Sequence, residues 1–160
     1  MRDEPYQDHG RQMTAGHADE AVEAFRKGLS CSQAIISVYG KDLGLDPGTA
    51  VKIASAFGAG VAKSGEICGA VSGALMVLGL SQKPEDIRDA SSREKVYAQA
   101  RRFVGEFAAR NASVHCTELV GYDLSDPKQF AEAKEKKAFA TRCSKIVRDA
   151  GEILEELLAS

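Results

Sequence analysis

Apolar residues recur at helical spacing along most of the chain, and cap and turn signals divide this pattern into segments. The first apolar stripe begins at Ala18. Asp46-Pro47 and Asp126-Pro127 each place an Asp cap directly before a proline, which is a strong signal for a helix start. No segment shows the sustained alternation that is typical of strands. The sequence therefore predicts an all-α fold, a single-domain bundle of six or seven helices.

Caps and glycines predict where individual helices begin and end. Ser30 is expected to cap the second helix and to place Cys31 in its first turn. Glycines within residues 58–60 are expected to end the third helix. A compact helix rich in Gly and Ala is predicted from about residue 67 to 78, and a long amphipathic helix is predicted to end near Arg110. Residues 83–86 are expected to break the chain between these two helices.

The first residues of the chain differ in character from the rest. Residues 1–16 are polar and show no apolar period, so we expect a polar N-terminal tail followed by a helical four-cysteine domain over residues 17–160. This start has no apolar core of a secretion signal, and no apolar stretch approaches the length of a bilayer span. We therefore expect a cytoplasmic protein that is not an integral membrane protein. The net charge of −2 gives no bulk electrostatic reason to expect nucleic acid binding.

Four widely spaced cysteines are the candidate functional residues. They are Cys31, Cys68, Cys116 and Cys143. No local loop motif uses such long gaps, so any shared site has to be assembled by the fold. A reducing compartment disfavours static disulfides, and several cysteines there point to metal or redox chemistry.

Cys68 has the most specific local context, because it opens the run CGAVSG at residues 68–73. Gly69 and Gly73 would share one helix face, which lets another backbone approach closely, either in this chain or in a second copy. A helix start at Cys68 would favour its thiolate, and glycines at positions 65 and 69 would leave room for a cofactor or a partner sulfur. The alternative is a small buried hydrophobe at a tight helix crossing.

Cys143 has three basic residues close in sequence, Arg142, Lys145 and Arg148. Such a setting would also stabilise a thiolate. A solvated charged helix face would give the same pattern.

Two other patterns do not support a site. The stretch FGAGVAKS at residues 57–64 suggests a phosphate-binding loop, but Ala62 and Phe57 occupy the two positions where that motif needs glycine. We therefore predict no nucleotide site. His9 and His17 have no partner at metal-ligand spacing, and we interpret His115, beside Cys116, as a surface or cap residue.

The four cysteines and the CGAxxG run together resemble the C_GCAxxG_C_C family of redox-active proteins. The resemblance extends from about residue 17 to about residue 150. It is carried by residues 28–34 (GLSCSQA), 43–46 (LGLD), 54–60 (ASAFGAG) and 68–80, with Cys116 and Cys143 in the third and fourth cysteine places.

The resemblance implies a redox role without naming a substrate or a redox partner. The split-Soret cytochromes c are similar in their four-cysteine domain and are associated with an iron–sulfur centre there. What this implies here is a 2Fe–2S type centre for electron transfer on Cys31, Cys68, Cys116 and Cys143. Haem is not implied, because the chain lacks Cys-x-x-Cys-His. A homodimer is expected from the pairing of the split-Soret relatives.

Three functions remain open at this point. Four thiolates satisfy two irons or one tetrahedral zinc equally well, so zinc is the alternative metal. A thiol–disulfide redox protein would use Cys68 as its catalytic thiolate, with a resolving cysteine from another helix. A helical interaction protein would contain cysteines that only pack.

Overall fold

A computed structural model describes residues 16–83 and 88–160 of the chain. The predicted polar tail up to residue 15, including His9, and residues 84–86 of the predicted break lie outside the described residues. Among the described helices, none combines the length and the apolar character that crossing a membrane requires.

Within these residues the chain forms eight α-helices and one π-helical turn. The α-helices are α1 (His17–Arg26), α2 (Cys31–Asp42), α3 (Pro47–Ile53), α4 (Gly69–Leu80), α5 (Ala90–Asn111), α6 (Cys116–Val120), α7 (Pro127–Glu135) and α8 (Ser144–Ala159). The π turn, Phe139–Cys143, directly precedes α8. In the described ranges, β-type pairing is limited to one isolated antiparallel bridge between Ile67 and His115. The all-α prediction is confirmed, with eight helices where six or seven were expected.

The predicted caps start the helices. Ser30 accepts a hydrogen bond from the backbone N–H of Gln33, whose side chain accepts one from the N–H of Ser30, so α2 begins with a capping box. Asp46 and Asp126 cap α3 and α7, and a proline begins each of these helices. These local signals fix the helix starts that position the cysteines.

The third helix ends earlier than the glycines at residues 58–60 predict. It ends at Ile53, and all of residues 59–63 then have positive φ, between 49° and 68°. The left-handed conformation costs about 1–2 kcal/mol for each residue other than glycine, and four of these five residues are not glycine. The surrounding structure must therefore impose this left-handed loop.

Helix α4 lies at the centre of the bundle, where it contacts α2, α5 and α8. It is apolar around most of its circumference, which suits a buried helix. The largest fully buried side chains of this core include Tyr39, Ile35, Phe103, Phe107 and Leu154. Tyr39 satisfies its buried hydroxyl by donating to Glu155 on α8.

Glycines let α4 and α2 approach each other closely. A Cβ at Gly69 would lie 3.0 Å from the backbone N of Ser32, and one at Gly73 would lie 2.9 Å from the backbone O of Ser32. At the other end, a Cβ at Gly40 of α2 would lie 3.6 Å from Leu80 of α4. The two helices therefore run in the same direction with their N-terminal ends together, and the small face of α4 is filled within this chain.

Gly73→Ala is expected to destabilise the protein by about 1–3 kcal/mol, because the new methyl group would meet the backbone of α2. Gly79→Ala is the matched control on the same helix, since a Cβ at Gly79 meets nothing within 4 Å. The control should stabilise by up to about 1 kcal/mol through helix propensity. Urea denaturation of both variants measures the difference, and equal stabilities would contradict this account of the α2–α4 contact.

Candidate functional site

Three of the four cysteines lie at the N-terminal ends of helices. Cys31 and Cys116 are the first residues of α2 and α6, and Cys68 is the N-cap of α4. Cys143 is the last residue of the π turn, directly before α8. Helix N-terminal ends carry unpaired N–H groups and partial positive charge, which favour negatively charged sulfur. The predicted positions of Cys31 and Cys68 at helix starts are confirmed.

Backbone hydrogen bonds align the segments that carry Cys68 and Cys116. The N–H of Cys68 donates to the carbonyl of Val114 over 2.8 Å, and the N–H of Cys116 donates to the carbonyl of Glu66 over 2.7 Å. These bonds flank the isolated bridge and hold the two chain segments side by side. They place the starts of α4 and α6 next to each other, although 48 residues separate the two cysteines.

Close backbone packing brings the remaining parts to the same place. A Cβ at Gly69 would lie 3.3 Å from the Cβ of Cys31, so the start of α2 abuts the start of α4. A Cβ at Gly60 would lie 2.7 Å from the Cβ of Cys116. The left-handed loop therefore passes directly over Cys116.

The four thiols form one cluster in which every pair interacts. Cys31 interacts electrostatically with the other three cysteines, Cys116 with Cys68 and Cys143, and Cys68 with Cys143. Cys31 and Cys143 also share a side-chain hydrogen bond. The fold thus brings together all four cysteines that the sequence singles out, each from a different element.

A cavity of about 180 Å³ lies among Cys31, Cys116 and Cys143. Its other walls are Phe25, Ser30, Ala59, Gly69, Phe130 and Phe139. The volume is several times the share of one water molecule, about 30 Å³. Cys68 is only 2 % exposed and belongs to the main hydrophobic core, behind the three cysteines that line the cavity. The space is larger than a single ion fills, and its rim is aromatic.

No group of three or more His, Cys, Asp or Glu side chains in residues 16–83 and 88–160 is arranged to hold a metal ion. A tetrahedral zinc site would need four sulfurs, each about 2.3 Å from one centre. The four thiols are neighbours without closing around such a point.

The thiols differ in how readily they ionise. Burial raises the pKa of Cys68 to about 11 and that of Cys116 to about 12. The pKa of Cys31 is also raised, because its thiol hydrogen bonds to Cys143 and is buried. The same hydrogen bond, followed by the nearby charge of Arg142, lowers the pKa of Cys143. Cys143 is therefore the thiol of the four that ionises most readily.

The predicted thiolate at Cys68 is accordingly wrong for the free thiol. Backbone N–H groups of Ala70 and Val71 do lower the pKa of Cys68, as its place at a helix start requires. Burial outweighs them. The lowering of the Cys68 pKa by the helix start was predictable from sequence. The burial of Cys68 was not, because it depends on the packing of α2 and α6 over this residue.

The space predicted beside Cys68 is filled at Gly65. A Cβ at Gly65 would overlap the hydroxyl of Thr117, so the prediction that this glycine leaves room for a cofactor is wrong. Gly69 faces the start of α2 and also lines the thiol cavity. The open space lies instead on the side of Cys31, Cys116 and Cys143.

Only one of the three basic neighbours acts on Cys143. Arg142 lowers the pKa of that thiol while donating a hydrogen bond to the carbonyl of Val120. Lys145 pairs with Asp149, and Arg148 pairs with an acidic residue of α1. The prediction of an electropositive setting is therefore right for Arg142 alone.

The described histidines stand apart from the cysteine cluster. His115 is the N-cap of α6 and its side chain is about half exposed, which confirms its prediction as a cap residue. His17 lies 2.6 Å from the carboxylate of Asp42. That contact ties the start of α1 to the end of α2, far along α2 from Cys31.

Comparison with family models gives one match that covers most of the chain. The model described as "Putative redox-active protein (C_GCAxxG_C_C)" matches residues 29–157, a range that contains all four cysteines. Comparisons with curated proteins and with solved structures found no match. The sequence resemblance is thus confirmed: the chain belongs to the C_GCAxxG_C_C family of redox-active proteins.

Proposed function

We propose that this protein is an electron-transfer protein whose Cys31, Cys68, Cys116 and Cys143 hold an iron–sulfur centre of the 2Fe–2S type. One observation carries the proposal, which is the electrostatic interaction of every pair of the four thiols beside a cavity. Four thiolates are the ligand set that such a centre uses.

The shape of the site favours a cluster over a single zinc ion. The cavity of about 180 Å³, lined by three of the four cysteines, exceeds what one ion fills. A two-iron cluster is larger than one ion, and each of its two irons binds two thiolates. The residues present therefore fit the cluster better than they fit zinc.

The protein's own groups would tune such a centre. When bound, an iron–sulfur cluster takes up and releases single electrons. The N–H groups of Ala70 and Val71 point at the sulfur of Cys68. Hydrogen bonds of this kind stabilise the more negative, reduced state, so they raise the reduction potential. Phe25, Phe130 and Phe139 limit the access of water.

Each Cys→Ser substitution at positions 31, 68, 116 and 143 is expected to weaken iron binding more than about tenfold. Losing a residue that hydrogen bonds to a metal ligand already lowers metal affinity by about that factor, and losing the ligand itself should lower it further. Iron and sulfide content per chain, with the visible spectrum after anaerobic reconstitution, measures this. Ser72→Ala is the matched control, since it removes only a weak hydroxyl contact to the carbonyl of Cys68 on the same helix. A wild-type chain that stays folded, colourless and free of iron under these conditions would overturn the proposal.

Thiol–disulfide exchange is the second candidate, and the Cys31–Cys143 hydrogen bond favours it. In this reaction the Cys143 thiolate attacks a disulfide of a partner, forms a mixed disulfide and releases one partner thiolate. Cys31 then loses its proton and attacks Cys143, which releases the second partner thiolate. The two cysteines are oxidised by two electrons and the partner disulfide is reduced by two. Cys143, rather than Cys68, is the nucleophile that the pKa shifts support.

Treating the reduced protein with oxidised glutathione should, under this second candidate, give a Cys31–Cys143 disulfide that peptide mapping by mass spectrometry detects. Cys143→Ser should abolish that disulfide, and Cys68→Ser should leave it in place as the matched control. Four free thiols after oxidation of the wild type would remove thiol exchange from consideration.

Stability of the reduced, metal-free protein is expected to fall as the pH rises above about 9. The pKa of Cys68 is about 11 in the folded protein and 9.0 ordinarily, so the unfolded chain loses this proton first. The stabilisation is complete below pH 9.0 and is lost as the pH rises towards 11. Urea denaturation across this window measures it, and Cys68→Ala should show a shallower decline. Tyr39, whose buried hydroxyl also has a raised pKa, contributes equally to the pH dependence of the wild type and of Cys68→Ala. An identical slope in the two proteins would contradict the burial argument.

A further inference from the structure

The segment that supplies much of the cavity wall is strongly basic. Residues 127–148 contain seven Lys or Arg and two Glu, in a chain whose net charge is −2. The same segment contributes Phe130, Phe139 and Cys143 to the cavity. This segment therefore carries a local excess of positive charge next to the thiols.

Three lysines lie close to the aromatic residues of the cavity wall, one of them in space and two along the chain. The Nζ of Lys63 lies 4.5 Å from the centre of the Phe130 ring. Lys134 follows Phe130 by one helical turn, so it lies on the same side of α7. Lys137 lies in the turn between α7 and the π turn of Phe139. All three lysines are exposed, and in the described part of the chain none of them forms an ion pair.

A fourth exposed cation follows a residue of the cavity wall in sequence. Arg26 is exposed at the end of α1, next to Phe25 of the cavity wall, and forms no ion pair with a described residue. Two of the acidic residues nearby are paired with lysines, Glu132 with Lys136 and Glu23 with Lys27. Asp123 and Asp126 accept backbone hydrogen bonds at the start of α7. We call Arg26, Lys63, Lys134 and Lys137 the basic rim.

A surface hollow adjoins the cavity inside this rim. It has a volume of about 420 Å³, and its walls include Lys63, Leu124, Pro127 and Phe130. Phe130 also lines the thiol cavity, so one aromatic ring separates the hollow from the thiol site. A partner seated in the hollow would come within a single side chain of the cysteines.

We propose that the basic rim and this hollow form the docking surface for an acidic electron-transfer protein. The inference rests on the proposed function, and it names the class of partner that an electron-transfer protein requires. Unpaired cations around an apolar centre are complementary to a ring of carboxylates, which speeds encounter and fixes orientation. Such a partner would exchange single electrons with the iron–sulfur centre that Cys31, Cys68, Cys116 and Cys143 would hold. The apolar centre and the overall acidic charge favour a protein partner over nucleic acid.

Carbodiimide cross-linking with a small acidic flavodoxin tests the surface at low salt. Amide bonds should form at Lys63, Lys134 and Lys137, as peptide mapping would show, and added salt should suppress them. Lys134→Glu together with Lys137→Glu should lower the association rate at least about tenfold. Lys41→Glu together with Lys95→Glu is the matched control, because these exposed lysines lie near the opposite end of α4.

Several results would overturn the docking surface. Cross-links scattered over the molecule would do so. An equal loss of association rate in the Lys41→Glu, Lys95→Glu control would also do so. Equal or tighter binding of a single-stranded oligonucleotide at the rim would assign the surface to nucleic acid instead. Cross-linking needs no bound iron, so it is separable from the proposed function. If the protein holds no iron but still cross-links at the rim, the docking surface is supported and the iron–sulfur proposal is not. If dithionite reduces the bound centre but no cross-link forms at the rim, only the docking surface is contradicted.

Discussion

The close approach of α4 to α2 is the contact on which the rest of the structure depends. It requires residues without side chains at Gly69 and Gly73, because the backbone of Ser32 occupies the space beside them. The two helices run in the same direction, so their positive ends meet at one point. Cys31 and Cys68 are therefore neighbours for a backbone reason, before any property of sulfur is considered.

Assembling four thiols in one buried place opposes their ionisation. Burial and the other cysteines together raise the pKa of Cys31, Cys68 and Cys116, so a cation that bound these thiols would have to displace their protons. The N–H groups at the helix starts offset part of this penalty.

Local features of this fold were predictable from sequence, and features that depend on distant contacts were not. The caps Ser30, Asp46 and Asp126 act on residues two or three positions away, so their helices begin where predicted. The positive φ of Ala59 and Val61 has no local signal, because nothing in these residue types favours it. The end of the third helix at Ile53 has no local signal either, because residues 54–57 contain neither glycine nor proline.

The site divides in the same way. The four cysteines could be named from sequence and family resemblance, yet their contacts could not, because each lies on a different element. The difference between Cys68 and Cys143 in thiolate character depends on burial and on the Cys31 hydrogen bond. The aromatic wall joins Phe25 to residues more than a hundred positions later, and sequence spacing carries no trace of it.

The π turn before α8 has a consequence for how sequences of this kind can change in length. A π turn holds one residue more than an α-helical turn. Successive residues on an α-helix differ in direction by about 100°, so deleting one residue between positions 139 and 143 would swing Phe139 out of the cavity wall while α8 and the adjoining Cys143 kept their packing. A related chain could then retain every cysteine and still open the aromatic wall beside the thiols. The length of this segment, as much as the number of cysteines, decides how the thiols are shielded.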